Sequence, residues 1–257
     1  MDGQEFEKNI ATLDAWIRDA QKITFFGGAG VSTASGIPDF RSKDGLYNQH
    51  DVRFDKYQPE YLLSHSCLVN EPKVYFEFHR QKLDTRKIKP NAAHYYLAAL
   101  EKQGKLLGIV TQNIDGLHQK AGSKKVFEIH GSALRNYCIQ CGKTYPPDAI
   151  FDSKEQVPHC ACGGVIRPDI TLYEEMLPEE AVEKAVQAIS QADLLLIAGT
   201  SLTVYPAASF IHYFHGNRLV ILNRDPLQVR LSAETLAIHE NMETVFRALA
   251  QKEGIPL

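Results

Sequence analysis

The 257-residue chain contains no apolar run approaching the roughly 18–20 residues that a membrane span requires. Its first eight residues, Met1–Lys8, are polar and acidic, so no export leader is expected. An excess of positive charge is also lacking. The 28 basic residues face 31 acidic ones, which argues against general nucleic-acid binding through phosphates. No internal repeat or low-complexity tract interrupts the chain. Cysteine is scarce, at five residues, but four of these stand in two close pairs and only Cys67 is alone. Without an export signal the pairs read as metal ligands rather than disulfides. A cytoplasmic protein is expected, and its 44% hydrophobic and 23% charged residues suit a globular one. The length allows one large domain with a satellite, or two modest domains.

The most informative segment that is present runs from Gly28 to Arg41, Gly-Ala-Gly-Val-Ser-Thr-Ala-Ser-Gly-Ile-Pro-Asp-Phe-Arg. It follows the apolar segment Ile23–Phe26, which reads as a buried strand. Gly28 and Gly30 remove side chains where the backbone would approach a pyrophosphate closely. The tail of the run is not what a dehydrogenase carries at this place. The third fingerprint position holds Thr33 rather than glycine, and no acidic residue follows a second strand about 20 residues on.

Elsewhere the pattern alternates. Phe6, Ile10, Leu13, Ile17 and Ala20 recur at helical spacing ahead of the first strand. A helix is expected over Asn91–Gln103, ended by Gly104. Strands are expected at Leu106–Thr111, Val126–Ile129, Leu194–Ala198 and Leu219–Leu222, and helices at Pro178–Gln191, Pro206–His215 and Glu240–Lys252. Residues 42–90 differ, being aromatic, charged and broken by Pro59 and Pro72, and they suit short helices that begin at those prolines. Strands alternating with helices imply an α/β fold with a parallel sheet covered on both faces. The polar, glycine-rich stretches follow five expected strand ends, which suggests one shared crevice. We therefore expect a Rossmann-type domain from residues 1–41, 91–135 and 166–257, a helical insertion at 42–90, and a cysteine-bearing ribbon at 136–165.

In that ribbon, Cys138-Ile-Gln-Cys141 and Cys160-Ala-Cys162 are separated by 18 residues, and a glycine follows each pair. Two tight turns facing each other would give a four-sulfur tetrahedral site, which zinc favours. The segment has almost no core of its own, so the metal would be structural. His159 is an alternative ligand beside the shortened second pair. A ribbon of this kind can bind nucleic acid, but no basic stripe with interleaved aromatics is visible, and direct nucleic-acid binding is not expected. Cys67 reads as buried packing.

Taken together, Gly28–Arg41, Thr111–His118, His130–Ser132, the paired cysteines, Gly199–Leu202 and Val204–Ala207 resemble the sirtuins, in that family's order and over about residues 22–225. The resemblance implies NAD-dependent lysine deacylation, with NAD as co-substrate and structural zinc. It also implies a Rossmann-type lobe and a smaller lobe, made of the insertion and the ribbon, with a cleft between them. His130 matches the general base that acts on a ribose hydroxyl. Asn113 would order the nicotinamide ribose and a water, with Gln112 beside it. Asp115 would accept from the nicotinamide carboxamide, which Ile114 also holds. Gly28, Ala29, Gly30 and Thr33 would meet the phosphates and ribose. Phe40 would shield the nicotinamide side and Arg41 would reach a phosphate or ribose group. Thr200, Ser201 and Asn223 would line the adenosine half. Asp39 and Ser32 read as residues that hold the loop.

The same resemblance implies acetyl-lysine proteins or peptides as partners, bound as an added strand between Leu172–Glu175 and Thr203–Tyr205. Glu174 stands where the family often has glycine, so its side chain would narrow or charge that groove. Members that remove acidic acyl groups carry a Tyr-x-x-Arg pair in the insertion. The corresponding residues here are Phe76 and His79, or Tyr75 and Phe78 in the adjacent register. A succinyl carboxylate would lack its arginine, so acetyl is expected over succinyl. Two further readings stay open at this point: mono-ADP-ribosyl transfer to protein or NAD hydrolysis, and a non-catalytic NAD-binding interaction module.

Overall fold

A computed structural model describes residues 2–227, 229 and 231–257. Met1, Gln228 and Arg230 fall inside the ranges expected for the large domain but lie outside the described residues. Asp2 caps the first helix, α1 (Gly3–Asp19), by accepting from the Glu5 N–H, and Ile10, Leu13 and Ile17 turn its apolar side inward. It leads into β1 (Ile23–Gly27), whose five residues are all buried. The chain then leaves the sheet through two 3-10 turns, Ala29–Val31 and Thr33–Ser35, and enters the insertion. There Ser64 caps α2 (His65–Asn70) and Pro72 opens α3 (Pro72–Lys82). The helix expected from Pro59 is shorter than its sequence suggests. It becomes a single 3-10 turn at Tyr61–Leu63 followed by α2.

Asn91 starts α4 (Ala92–Lys102) with a reciprocal cap that includes the His94 ring. Next come β2 (Leu106–Thr111), α5 (Leu117–Lys120) and β3 (Val126–Glu128). The ribbon contributes β4 (Gly131–Cys138), β5 (Thr144–Tyr145), α6 (Asp148–Phe151) and β6 (Ile166–Ile170). The chain returns through α7 (Glu179–Gln191), β7 (Leu194–Ala198), β8 (Arg218–Leu222), β9 (Glu234–Ile238) and α8 (Met242–Glu253). The stretch expected to be helical from Pro206 is a 3-10 helix, Ala207–Tyr213.

The large sheet is wholly parallel, in the order β3-β2-β1-β7-β8-β9. Side chains alternate between its faces. Phe25, Leu194 and Leu196 meet α1, α4 and α8, whereas Phe26, Leu195 and Ile197 meet α7 and the 3-10 helix. The strand order runs outward in opposite directions from β1 and β7, which puts the topological switch point between their carboxyl ends. The smaller sheet, β5-β4-β6, is antiparallel. Its core is shared with the insertion: Cys138, Ile150, Cys160 and Ile166 pack with Cys67, Tyr75 and Phe76. Arg80 of α3 also donates to the carbonyls of Ile150, Glu155 and Gln156. No helix among the described residues is long and apolar enough to cross a membrane.

Candidate active site

At the switch point the loops enclose a cavity of about 570 Å³. Gly28, Ala29, Gly30 and Thr33 line it from the end of β1. The glycines are demanded first by the packing of two loops. A Cβ at Gly28 would lie 2.8 Å from the Gly199 carbonyl oxygen, and one at Gly30 would lie 2.8 Å from the Gly199 Cα. This close approach puts the loop after β1 directly against the loop after β7. Thr200 and Ser201 line the cavity from that second loop, and Asn223 lines it from the end of β8. Thr200 also ties the walls together, because the Gln112 side-chain amide donates to its hydroxyl over 3.0 Å.

The loop from Ile37 to Asn48 folds over one side. Asp39 accepts from the backbone N–H groups of Arg41 and Ser42, which fixes the turn carrying Phe40 and Arg41 into the cavity wall. Gln112, Asn113 and Ile114 enter from the end of β2. Asp115 does not line the main cavity. It lies on an adjoining pocket of about 40 Å³, which shares Ala29, Phe40, Asn113 and Ile114 with the larger one. The pair of cavities therefore has a roomy limb and a narrow one, joined at Phe40 and Asn113.

Ser32, buried at the base of the narrow limb, accepts from the Asn113 amide at 3.1 Å and donates to Asp115 Oδ2 at 2.6 Å. The Leu117 N–H reaches the other carboxylate oxygen at 2.9 Å. Burial raises the Asp115 carboxyl above its ordinary value, and these two donors oppose the rise. His130 follows β3 and lines the main cavity. Its Nδ1 lies 3.1 Å from the Gln112 carbonyl oxygen. A carbonyl can only accept, so Nδ1 carries the proton and the Nε2 lone pair is left for chemistry. Burial lowers the pKa of the ring, partly offset by that carbonyl. At neutral pH the ring is a neutral base.

The loops expected to take a peptide also meet here: Leu172–Glu175 and Val204–Tyr205 both line the cavity. Glu174 adopts a left-handed conformation, φ 75°, and its carboxylate accepts from the Ser66 N–H and hydroxyl at the start of α2. Its charge is thereby spent on α2. Glu175 accepts from both terminal guanidinium nitrogens of Arg167, which holds its carboxyl down at about 2 despite its burial. Of the insertion residues weighed for acyl selectivity, Tyr75, Phe76, Phe78 and His79 are all buried in the lobe and none lines the cavity.

In the ribbon, the four sulfurs of Cys138, Cys141, Cys160 and Cys162 lie within 4.8 Å of one another. Cys138 and Cys162 are 3.5 Å apart, and Cys141 and Cys160 are 3.7 Å apart. A tetrahedral zinc–thiolate site with bonds of about 2.3 Å implies sulfur separations near 3.8 Å, so the set fits zinc. Tyr145 donates its hydroxyl to the Cys160 sulfur. His159 bonds to Glu155 instead of joining the cluster. None of the four cysteines lines the cavity, and four sulfurs leave no position open to a substrate.

Sequence reasoning reached Asn223–Asp225 but missed the far end of the cavity, which Glu240, Asn241 and Met242 line. The available signal was Asn241 followed by Glu243, a helix-start pair that brings the N-terminus of α8 to the sheet's carboxyl edge.

A family model of the Sir2 family matches residues 28–206. An NAD-dependent protein deacetylase of Clostridium acetobutylicum is 53% identical over 84% of this chain and 87% of its own length. One of Cutibacterium acnes is 49% identical over 92% and 96%. Among solved structures, a Sir2 variant with a deacetylated p53 peptide and 3'-O-acetyl-ADP-ribose superposes with a TM-score of 0.86, at 32% identity over 96% of this chain and 99% of that one. A Sir2 complex with a p53 peptide and NAD superposes at 0.80, with 33% identity over the whole of both chains.

Proposed function

The chain belongs to the Sir2 family, and we infer that it is an NAD-dependent protein-lysine deacetylase whose general base is His130. The observation that carries the reading is the tautomer of His130. The Gln112 carbonyl holds Nδ1–H, leaving Nε2 as an acceptor on the cavity wall. Bound NAD supplies a glycosidic bond to nicotinamide, whose cleavage leaves ADP-ribose to take the acetyl group.

The residues divide the work. Ala29, Thr33 and Arg41 contact phosphate and ribose, and Thr200, Ser201 and Asn223 hold the adenosine half. Gln112 and Asn113 orient the nicotinamide ribose. The narrow pocket takes the nicotinamide ring, with Asp115 accepting from its carboxamide and Ile114 against it. Phe40 separates that pocket from the main cavity and keeps water from the reacting carbon. His130 Nε2 takes a ribose hydroxyl proton. The peptide lies as a strand between Leu172–Glu175 and Thr203–Tyr205. The four cysteines hold structural zinc. We divide the chain into a large lobe of 1–41, 91–135 and 166–257, an insertion of 42–90 and a ribbon of 136–165. We place the protein in the cytoplasm.

Acetyl is the preferred acyl group over succinyl. The cations lining the main cavity among the described residues are Arg41 and Arg224, from the cofactor loop and the end of β8; α3 brings to the narrow pocket its last residue, Lys82, which lies 3.8 Å from Asp51, and no arginine. The test is purified protein with NAD and acetyl- and succinyl-lysine peptides, read by mass spectrometry. Nicotinamide, free lysine and O-acetyl-ADP-ribose are expected, with His130→Ala inactive but folded. Label from NAD on the protein itself would instead indicate ADP-ribosyl transfer. Equal turnover of the succinyl peptide would defeat the acyl preference.

A further inference from the structure

We propose that Tyr145 is a positioning residue of the ribbon's zinc site, holding the Cys160 thiolate from the opposite turn and, with Lys143 over its ring, offsetting the charge of the four sulfurs. The proposal rests on the zinc reading above. Tyr145 belongs to the hairpin that carries Cys138 and Cys141. It is set there by pairing with Asn136 across β4 and β5. The Cys138 N–H on the Lys143 carbonyl and the Asn136 side chain on the Pro146 carbonyl, each at 2.9 Å, fix the residues on either side. From that base its hydroxyl crosses to Cys160, in the other turn, and donates to Sγ at 2.9 Å. Among the described residues it is the side chain, other than the cysteines themselves, that bonds to one of the four sulfurs.

The four sulfurs are unequal. Cys138 and Cys160 are buried, and each accepts a hydrogen bond from outside the set, Cys138 from the Gln140 N–H at 3.4 Å and Cys160 from Tyr145. Cys141 and Cys162 are exposed. A competing chelator therefore meets Cys141 and Cys162 first, and release of the metal depends on how firmly the buried pair stays in place. Four thiolates on a divalent ion carry surplus negative charge, which nearby donors must meet where the site is closed to water. The Tyr145 O–H meets it at Cys160. Lys143, whose Nζ lies 5.3 Å from the centroid of the Tyr145 ring, polarises that ring from an exposed position. Loss of an outer partner of this kind lowers metal affinity by about 10–100-fold.

The experiment compares wild type, Tyr145→Phe and Lys143→Gln, each loaded with zinc and, separately, with cobalt(II). Tyr145→Phe keeps the ring against the core around Tyr75 and Phe76 and removes only the hydroxyl. Competition against a chromophoric chelator should show zinc affinity lowered about tenfold or more in Tyr145→Phe, and by less in Lys143→Gln. In the cobalt proteins the sulfur-to-metal charge-transfer band should move to longer wavelength, because a thiolate that has lost its donor gives up charge more readily. A contribution to the fold alone would lower the thermal midpoint and leave that band in place. Either an unmoved band or an unchanged zinc affinity in Tyr145→Phe overturns the proposal. Should that variant not fold, the cobalt band of Lys143→Gln decides in its place: a shift supports the charge effect through the ring, and an unmoved band overturns it. Wild-type protein that takes up neither zinc nor cobalt defeats the zinc reading as well.

Discussion

Ser32 donates its hydroxyl proton to Asp115 across 2.6 Å, with both residues closed to solvent. The serine lies in the glycine-rich segment after β1, and the aspartate lies in the loop after β2. One hydroxyl thus links the two loops that shape the narrow pocket, while also accepting from Asn113.

Replacing Ser32 by alanine removes the donor to a buried carboxylate and the acceptor for a buried amide at once. Groups left unpaired in such a place cost about 1–3 kcal/mol. The carboxyl of Asp115, already raised by burial, would rise further, because the Ser32 bond is the largest influence opposing that rise. Ser32→Ala should lower the thermal midpoint and move the acid limb of the nicotinamide-release profile to higher pH. A profile in register with wild type would show that Asp115 does not depend on this bond.

His79 gives a pH dependence of stability whose sign is fixed. The ring stacks 5.1 Å from Phe151, neither nitrogen has a hydrogen-bond partner, and burial pushes its pKa down to about 3. Below about pH 6.5 the unfolded chain binds a proton that the folded ring refuses. Stability is therefore lost as pH falls from about 6.5 toward 3, at up to about 1.4 kcal/mol per pH unit for this one group. His94 is lowered to about 4 and His118 well below its usual value, and both act in the same direction. His79→Phe should hold or raise stability at pH 7 and reduce the loss between pH 7 and pH 5 in urea melts. An unchanged pH dependence would remove His79 from the account.

The sheet and most of the cavity were legible because their residues carry local signals. Leu194–Ala198 is uniformly apolar and forms β7 with those bounds. Asn91 is a capping residue and caps α4. By contrast, β9 reads Glu-Thr-Leu-Ala-Ile, with one buried residue and a sheet edge to solvent, so it offers no apolar run to find. Ribbon strands β4 and β6 were missed for a related reason. Their core is completed by Tyr75 and Phe76 from a distant helix, and pattern within the segment cannot reveal that. The role of Glu174 was hidden similarly. Its charge suggests a groove residue, but its bonds to Ser66 depend on where the insertion folds.

Glu174 separates two opposing effects that substitutions can isolate. A side chain in the left-handed region costs about 1–2 kcal/mol, which glycine does not incur. Its carboxylate recovers part of this through Ser66. Glu174→Gly loses the bonds and the strain together and should change stability little. Glu174→Ala loses the bonds and keeps the strain, so it should be the less stable of the two in paired denaturant titrations. The reverse order would mean that relief of the left-handed strain does not outweigh the chain entropy that glycine adds.

Zinc removal should act on one lobe and spare the other. The ribbon is held to the rest of the chain by the shared core around Tyr75 and Phe76, by Arg80 on three ribbon carbonyls, and by Arg86 paired with Asp148 and Asp152. Within the ribbon, β4 pairs with β6 as far as Cys138–Ile166 and the Ile139 N–H donates to the Val165 carbonyl, which brings the two cysteine turns together for a metal to lock. A strong chelator, or Cys160→Ser, should release the zinc and open residues 139–164 to proteolysis. The cavity residues proposed to bind NAD come from the large sheet and the loop after β1, so NAD affinity should persist in the metal-free protein. Cys160→Ser that kept its zinc with full affinity would mean His159 can turn from Glu155 to take the vacated position, the alternative that the cysteine spacing leaves open.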